Sequence, residues 1–354
     1  MGNPMIHRVL LLFLIFYVSD PLFSQSKSNT HFMGSSNLFM PSTEDIGEKN
    51  LVFRFNHRFG NAKTGFDEFY GLDQGANTQL GLDYGITDKW MIGIARTSQL
   101  KTWELRSKYR LLSQDTFPFT ISLYGVMGQE TSDQSYTYSY FNRNWSGNST
   151  VDTQINRDLN TYKLTDHDKK SFLGSILISR KLSETISIQV SPMFVHRNFT
   201  PTQINSDRTG VDIGGRFKIS TRIDLSFNAI FTPKRDYFGD SYSAESQKTS
   251  ITGINQLSGD QINTGLGTGT VTPIEILTKN ILLDEPVKHR FIPFGIGLDI
   301  ETGGHVFQLF VSNNRTLAQT QLLRGADFDF LKKEFCLGFN IMRQFSFATE
   351  KEAW

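Results

Sequence analysis

Cysteine is almost absent from this chain of 354 residues. Cys336 stands alone, so an internal disulfide is excluded. An excess of charge of either sign is lacking as well, since 36 Lys and Arg residues face 35 Asp and Glu residues. This balance gives no support for a basic, nucleic-acid-binding surface.

Long apolar runs are also missing, and none approaches the roughly 18 residues of a transmembrane helix. The longest, from Val9 to Val18, would measure roughly 15 Å as a helix against a bilayer core of roughly 30 Å. Arg8 precedes the run, and Ser24 before Gln25 offers a cleavage site. The pattern predicts a secretory signal peptide. A buried N-terminal helix is the alternative, and the lack of a nearby cysteine argues against a lipoprotein.

What the chain does contain is a series of segments in which apolar and polar residues alternate. This period of two is typical of strands with two different environments. In the segment 101–111, Trp103 and Leu105 share one face, while Glu104 and Arg106 share the other. A basic side chain facing lipid at the midplane would cost about 2–4 kcal/mol, so we expect the charged face to point into a lumen.

The expected strands number about twelve, and the connections between them alternate in length. The strands are 51–59, 76–86, 90–97, 101–111, 117–127, 171–181, 185–196, 209–219, 223–231, 289–300, 305–313 and 333–347. Short connections cover 87–89, 113–116, 182–184, 220–222 and 301–304, and long ones cover 60–75, 128–170, 197–208, 232–288 and 314–332. The connection 98–100 breaks this alternation, because it is short although it lies on the side of the long loops. Leu173 and Leu177 interrupt the polar face of the sixth strand and leave its orientation ambiguous.

Short turns at one end and long loops at the other indicate an all-β fold, a transmembrane antiparallel up-and-down β-barrel of about 12 strands. We predict a signal peptide over residues 1–24, a periplasmic N-terminal segment over 25–50, an outer-membrane barrel over 51–347 and a tail over 348–354. The expected location is the bacterial outer membrane, with both termini periplasmic. A soluble sandwich or propeller is the alternative. Aromatic residues near strand ends, such as Trp90 and Tyr109, favour the barrel.

Charged side chains on the polar faces are the candidate functional residues. The predicted lumen-lining set is Arg54, Arg58, Asp83, Glu104, Arg106, Lys108, Arg110, Asp212, Arg216, Lys218, Asp224 and Glu334. No spacing indicates a catalytic residue, a cofactor site or a metal site. His57 falls on the outward register and is interpreted as a structural histidine. Pro273 opens a stretch with helical apolar spacing, which would either constrict the barrel mouth or pack against other loops.

Four segments resemble an uncharacterised domain-of-unknown-function family of outer-membrane β-barrel proteins from Bacteroidota. They are LVFRFNHRFG at 51–60, GLDYGITDKWMIGIARTS at 81–98, KYRLLSQ at 108–114 and GLDIETGGHVFQL at 297–309. The similarity spans nearly the whole mature chain. It implies the barrel and its location, and it brings no substrate or catalytic residue.

Three functions fit these observations. The first is a narrow channel for small polar or anionic solutes, since twelve strands lie between a filled eight-stranded barrel and an open sixteen-stranded porin. The second is a non-conducting structural or partner-binding barrel with a salt-bridged lumen. The third, an enzyme acting on lipid or peptide, lacks a recognisable nucleophile and base. The expected partners are outer-membrane lipid, a small polar or anionic solute, and a protein or glycan at the outer loops.

Overall fold

A computed structural model describes residues 31–132, 165–198, 207–232 and 291–347. Within these residues twelve strands are present: β1 Asn50–Arg58, β2 Asn77–Gly85, β3 Trp90–Thr97, β4 Trp103–Leu112, β5 Thr120–Gln129, β6 Lys170–Lys181, β7 Ile186–Arg197, β8 Asp207–Lys218, β9 Ile223–Phe231, β10 Phe294–Glu301, β11 His305–Ser312 and β12 Cys336–Ser346. No helix in this part of the chain combines the length and the hydropathy needed to cross a membrane. The predicted signal peptide, the C-terminal tail and the helix opened by Pro273 lie outside the described residues.

The strands close into one antiparallel barrel, which confirms the predicted fold class. Each strand pairs with its sequence neighbours, and β1 pairs with β12 from Asn50 opposite Ser346 to Arg58 opposite Gly338. Closure matters because an open sheet would leave two rows of unpaired backbone groups at its edges.

The two faces of the wall differ as the alternation predicts. On β4, Trp103 is 42% exposed and Leu105 is 53% exposed, whereas Glu104 and Lys108 are fully buried. The apolar side chains therefore cover the outside of the barrel, and the charged ones face its interior. A register slip of one residue would exchange the two sets, so this pattern fixes the pairing.

The interior is occupied by residues 31–46, which we call the N-terminal hairpin. Its two arms are joined by an antiparallel bridge between Ser36 and Pro41, and the Ser42 amide donates to Ser35 O at 3.0 Å. The arms lie near the short turns, since the His31 ring bonds Gln114 of the β4–β5 turn at 2.7 Å. The tip, around residues 37–40, reaches the middle of the barrel.

The hairpin belongs to the stretch 25–50, for which the sequence predicts a periplasmic N-terminal segment. The described part of that segment is folded inside the wall because its apolar side chains have partners there. Leu38, Phe39 and Met40 are each at most 7% exposed. They belong to a buried cluster with Leu173 and Leu177. These two leucines made the sixth strand ambiguous, and they face inward because the hairpin packs against them.

A second segment enters the barrel from the long-loop end. Residues 313–325, here called the inward loop, follow β11 and contain a short 3₁₀ helix, Gln319–Arg324. Leu322 and Leu323 are each 1% exposed and join the same buried cluster as the hairpin tip. The stretch after Pro273, for which the sequence left open a constriction of the mouth or packing against other loops, lies outside the described residues. The inward loop was read from the sequence as an ordinary outer connection.

Candidate functional site in the barrel lumen

Most of the predicted lumen residues do face the interior. Those at most 9% exposed are Arg54, Arg58, Asp83, Glu104, Arg106, Lys108, Asp212, Arg216 and Asp224. Arg110 is partly exposed near the short-turn end, where its guanidinium lies 2.9 Å from the Asp45 carboxylate of the hairpin. Lys218 is also partly exposed and stands opposite Asp224 in the β8–β9 pairing.

Glu334 differs from the prediction because it does not lie on a strand. The last strand begins at Cys336, and Glu334 belongs to the preceding connection. Its carboxylate accepts the Asp329 amide at 3.2 Å and pairs at 2.9 Å with Lys63, which lies in the connection after β1. The Lys63 ammonium, as a hydrogen-bond donor, holds the pKa of Glu334 below its usual value. Its interpretation as a lumen-lining residue was therefore wrong.

A buried charge cluster joins three strands on one side of the lumen. The Asp83 carboxylate of β2 lies 2.6 Å from the Arg54 guanidinium of β1 and 3.4 Å from that of Arg106 on β4. The carboxylate occupies the space over Gly93, where a Cβ atom would come within 1.9 Å of Asp83 Oδ1. One buried carboxylate thus neutralises part of the charge of two arginines, and the arrangement depends on a glycine in the intervening strand.

The opposite wall carries a second polar group around Asp224. Its carboxylate lies 2.7 Å from Arg216 Nε. Asp299, directly opposite on β10, accepts the Ser226 hydroxyl at 2.8 Å. Asp212 accepts Asn228 Nδ2 at 2.9 Å. The lumen therefore has acidic groups on β8–β10 facing the arginine-rich β1–β4 side of the twelve-stranded ring.

Sequence reasoning missed Asp299, Arg197 and Arg208 as interior residues. Arg197 Nη1 donates to Gln321 of the inward loop at 2.9 Å, and the Arg208 guanidinium donates to Leu323 O. Both arginines lie at strand ends that were assigned to loops. If the alternation is extended by one or two residues beyond each predicted strand, both arginines fall on the inner face.

The hairpin is bound to the wall largely through its backbone. Gln189 of β7 donates from Nε2 to Pro41 O at 2.9 Å and accepts the Thr43 amide at 3.1 Å. Asn228 accepts the Leu38 amide at 3.0 Å. Because these wall groups are buried, the hairpin supplies hydrogen bonds that they would otherwise lack.

Two cations of the wall also bind hairpin carbonyls. Arg58 Nη2 donates to Leu38 O at 3.0 Å. Lys108 Nζ donates to Ser42 O at 2.8 Å and also to Glu44 O. Both cations are at most 1% exposed, so carbonyl oxygens replace their hydration shell.

The inward loop is anchored on both sides of the lumen. The Glu104 carboxylate accepts the amides of Gln319 and Thr320 at 2.5 and 3.4 Å. Two strands farther round the wall, the Ser171 hydroxyl of β6 lies 2.8 Å from that of Thr320. Gln79 Nε2 of β2 donates to Leu317 O at 3.3 Å, and the Arg208 guanidinium of β8 binds the other end of the loop. Because β2 and β8 lie opposite each other in the ring, the loop crosses the mouth.

An acidic residue stands at the outer rim beside this loop. Glu130, immediately after β5, accepts Gln321 Nε2 at 2.9 Å. Burial raises the pKa of Glu130 to about 7, although the cations Arg324, Arg197 and Lys169 act in the opposite direction. The docked loop therefore favours the protonated carboxyl.

Very little space is left between the hairpin and the inward loop. The cavity there has a volume of about 10 Å³ and is bordered by the hairpin tip, the inward loop, Arg54, Arg58 and Arg106. Room for one water molecule needs about 10–15 Å³ on this measure. Between these two segments, the described residues leave room for at most about one water molecule.

No cluster of three or more His, Cys, Asp or Glu side chains in the part of the chain described could hold a metal ion. His57 lies on the outside of the barrel, where its ring stacks on Phe339 at 5.0 Å between centroids. Its structural role stays a prediction.

Comparison with known proteins identifies a family. The family model described as "Membrane bound beta barrel domain (DUF5777)" matches residues 32–345. No curated protein sequence matches the chain significantly.

Solved structures with detectable similarity include barrels of low sequence identity. The NanC porin structure has a TM-score of 0.42 at 6% identity, covering 83% of this chain and 98% of that one. Outer membrane protein Omp33 of Acinetobacter baumannii has a TM-score of 0.34 at 6% identity, covering 84% of this chain and 99% of that one. Similarity this low says nothing about function.

Proposed function

Because the chain belongs to the DUF5777 family of membrane-bound β-barrel domains, we propose that it is an outer-membrane barrel enclosing a narrow channel that is closed at rest. Small polar or anionic solutes pass when the N-terminal hairpin and the inward loop leave the lumen. One observation carries this proposal. The obstruction consists of two chain segments that are not part of the wall, and behind them β1, β2, β4 and β7–β10 carry buried charged side chains.

The charge of the inner wall supports passage of anions. Among the described inward-facing residues, the basic ones outnumber the acidic ones. The basic residues include Arg54, Arg58, Arg106, Lys108, Arg110, Arg197, Arg208, Arg216 and Lys218, against Asp83, Glu104, Asp212, Asp224 and Asp299. Rings of basic side chains favour anions in pores. An opened lumen of this composition would have a weak anion preference.

The second candidate is a non-conducting barrel that binds a partner at its outer loops. The burial of Leu38, Phe39 and Met40 favours it, because each such side chain stabilises the closed form by about 1.5–3 kcal/mol. In this case the hairpin is a permanent core and the lumen charges serve only to hold it.

Planar-bilayer recording separates these candidates. Three purified proteins are compared: the wild type, a Leu38→Asp variant that places a charge in the apolar cluster, and the same variant with residues 317–323 replaced by a glycine–serine linker. The wild type should be silent, and the doubly altered protein should show conductance steps with a reversal potential favouring anions. Heat-modifiable migration on gels checks that each barrel is folded. Silence of a folded, doubly altered barrel would overturn the channel and support the partner-binding barrel.

A reversible lock provides the matched control. Thr43 Oγ1 of the hairpin lies 2.5 Å from Ser179 Oγ of the wall. Cysteines at both positions should form a disulfide that tethers the hairpin. If the hairpin must leave for conduction, oxidation should abolish any conductance of the linker-bearing protein and a reductant should restore it. The Thr43→Cys variant alone should be insensitive to both treatments.

A further inference from the structure

We infer that the part of the wall which holds the N-terminal hairpin is a binding site for an extended peptide, and that the hairpin is its internal occupant. The inference rests on the proposed function, since the hairpin must leave before another chain can bind. The hydrogen bonds from wall side chains go mainly to backbone groups of the hairpin, and every peptide has such backbone groups.

Gln189 shows this recognition most clearly. Its fully buried side-chain amide binds the Pro41 carbonyl and the Thr43 N–H together, two residues apart on one chain. A neighbouring strand engages a peptide in the same way, through alternating carbonyl and N–H groups, and this is how sheet edges bind peptides of many sequences. Neither bond depends on which side chain the hairpin carries at these positions.

The other wall contacts follow the same rule. Asn228 accepts the Leu38 N–H, while Arg58 donates to the Leu38 carbonyl, so this residue is held at both of its backbone groups. Gln308 Nε2 donates to Ser36 O at 3.2 Å. Together with Lys108, which donates to two further carbonyls, these side chains surround the hairpin backbone from strands β1, β4, β7, β9 and β11.

These wall side chains include both donors and acceptors, which argues for a peptide over a small anion. An anion would satisfy Arg58 and Lys108 but offers no donor to Asn228 Oδ1 or to Gln189 Oε1. A buried polar group left without a partner is costly. A peptide, which alternates N–H and carbonyl groups, satisfies all four wall residues, as the hairpin does.

The wall also indicates which peptides fit. The hairpin tip places Leu38, Phe39 and Met40 against inward-facing apolar residues, among them Leu173 and Leu177. The ligand class is therefore a short peptide with apolar residues at its centre and polar flanks. Space is sufficient, because the hairpin has two arms and its departure frees more than the width of one extended chain.

Peptide binding can be measured on the full-length Leu38→Asp protein, whose wall is unaltered. The probe is a fluorescein-labelled synthetic peptide with the wild-type sequence of residues 31–46, followed by anisotropy in detergent. We expect saturable binding to this variant and binding at least about tenfold weaker to the wild type, whose lumen is occupied. Gln189→Leu in the variant background should weaken binding about tenfold, while Ser122→Ala should leave it unchanged. Ser122 is buried on the inner face, and in the described part of the chain its hydroxyl has no hydrogen-bond partner.

A backbone-methylated peptide tests the recognition itself. Methylation of the amide nitrogens at the Leu38 and Thr43 positions keeps every side chain and removes the N–H groups that Asn228 and Gln189 accept. Loss of binding is expected. Three results would each overturn the inference. They are equal binding of the methylated peptide, no effect of Gln189→Leu, and displacement of the peptide by millimolar inorganic phosphate.

Failure of the inference is distinguishable from failure of the channel. If the linker-bearing Leu38→Asp barrel conducts but binds no peptide, the proposed channel stands and the proposed peptide site is overturned. If that barrel is silent, a variant lacking residues 31–46 is titrated with the same peptide. Absence of binding to a folded form of that variant also overturns the peptide site.

Discussion

At the scale of single residues, the lumen is organised by buried charges whose partners come from different strands. Asp83 is shared by Arg54 and Arg106, and all three side chains are at most 4% exposed. A buried ion pair of this kind is weak support for stability as a whole, yet removal of one partner leaves a charge without compensation. The cluster therefore responds strongly to substitution.

Asp83→Asn should destabilise the barrel by about 3–5 kcal/mol, because two buried arginines would lose the carboxylate that both of them contact. The measurement is chemical unfolding in detergent micelles followed by intrinsic fluorescence. Asp73→Asn is the control, since Asp73 is exposed in the β1–β2 loop and should shift the midpoint little. Equal effects of the two substitutions would contradict the role assigned to Asp83.

Glu130 makes docking of the inward loop dependent on pH. Burial raises the pKa of this carboxyl to about 7 in the docked state. The stabilisation of the docked loop by the protonated carboxyl is therefore fully present below the ordinary pKa of 4.5. It is lost as the pH rises through about 7. Limited proteolysis of residues 313–325 should therefore be faster at pH 8 than at pH 5.5.

Glu130→Gln should reduce this pH dependence, since an amide does not titrate in this range. Lys169, Arg197 and Arg324 face the carboxyl and are the same in both proteins, so they do not account for a difference between them. A pH dependence that persists undiminished in the Gln variant would exclude Glu130 as its source.

At the scale of elements, the hairpin and the wall fit because particular wall positions carry no side chain. A Cβ atom at Gly295 of β10 would lie 3.0 Å from the Phe39 ring and 3.4 Å from Leu38. These contacts are tight, and a larger side chain there would compete with the hairpin tip for the same space. The wall strand itself would tolerate such a residue, because β-branched residues favour strands.

Gly295→Val should therefore expel the hairpin while leaving the barrel folded. The measurement is cleavage after Glu44 by a glutamate-specific protease, which should rise at least about tenfold over the wild type. Gly174→Val is the matched control, because a Cβ atom there meets nothing within 4 Å on the outside of β6. Protection of Glu44 in both variants would show that the tip does not depend on this space.

At the scale of the whole molecule, the alternation of short turns and long loops orients the barrel. The short connections include the β2–β3 turn with Lys89, and the long ones include the 3₁₀ segment Ala62–Gly71 with Phe66. We propose that the short turns face the periplasm, as in other bacterial barrels. The N-terminal hairpin then enters the lumen from the periplasmic side.

Cysteine labelling on intact cells checks this orientation. A membrane-impermeant maleimide should label Phe66→Cys, whose position is 80% exposed, and should label Lys89→Cys only after the outer membrane is permeabilised. The native Cys336 is fully buried and gives little background. The reverse pattern of labelling would invert the proposed topology.

The sequence by itself determined the wall of this protein. Alternating polarity fixes the face and register of each strand, since one slipped residue would carry charges such as Arg106 to the outside. Nine of the twelve predicted lumen residues could be placed deep in the interior for the same reason. Glu334 was misplaced because alternation cannot show where a strand begins.

Only the tertiary structure decided what fills the lumen. Residues 31–46 and the inward loop have no strand or helix periodicity of their own, and they fold only because the closed wall offers them Gln189, Asn228, Glu104 and a patch of leucines. These contacts join positions more than a hundred residues apart, as between Thr43 and Gln189. Local patterns carry no information about such pairs. The sequence therefore predicted a narrow charged lumen, and only the structure showed two chain segments packed inside it.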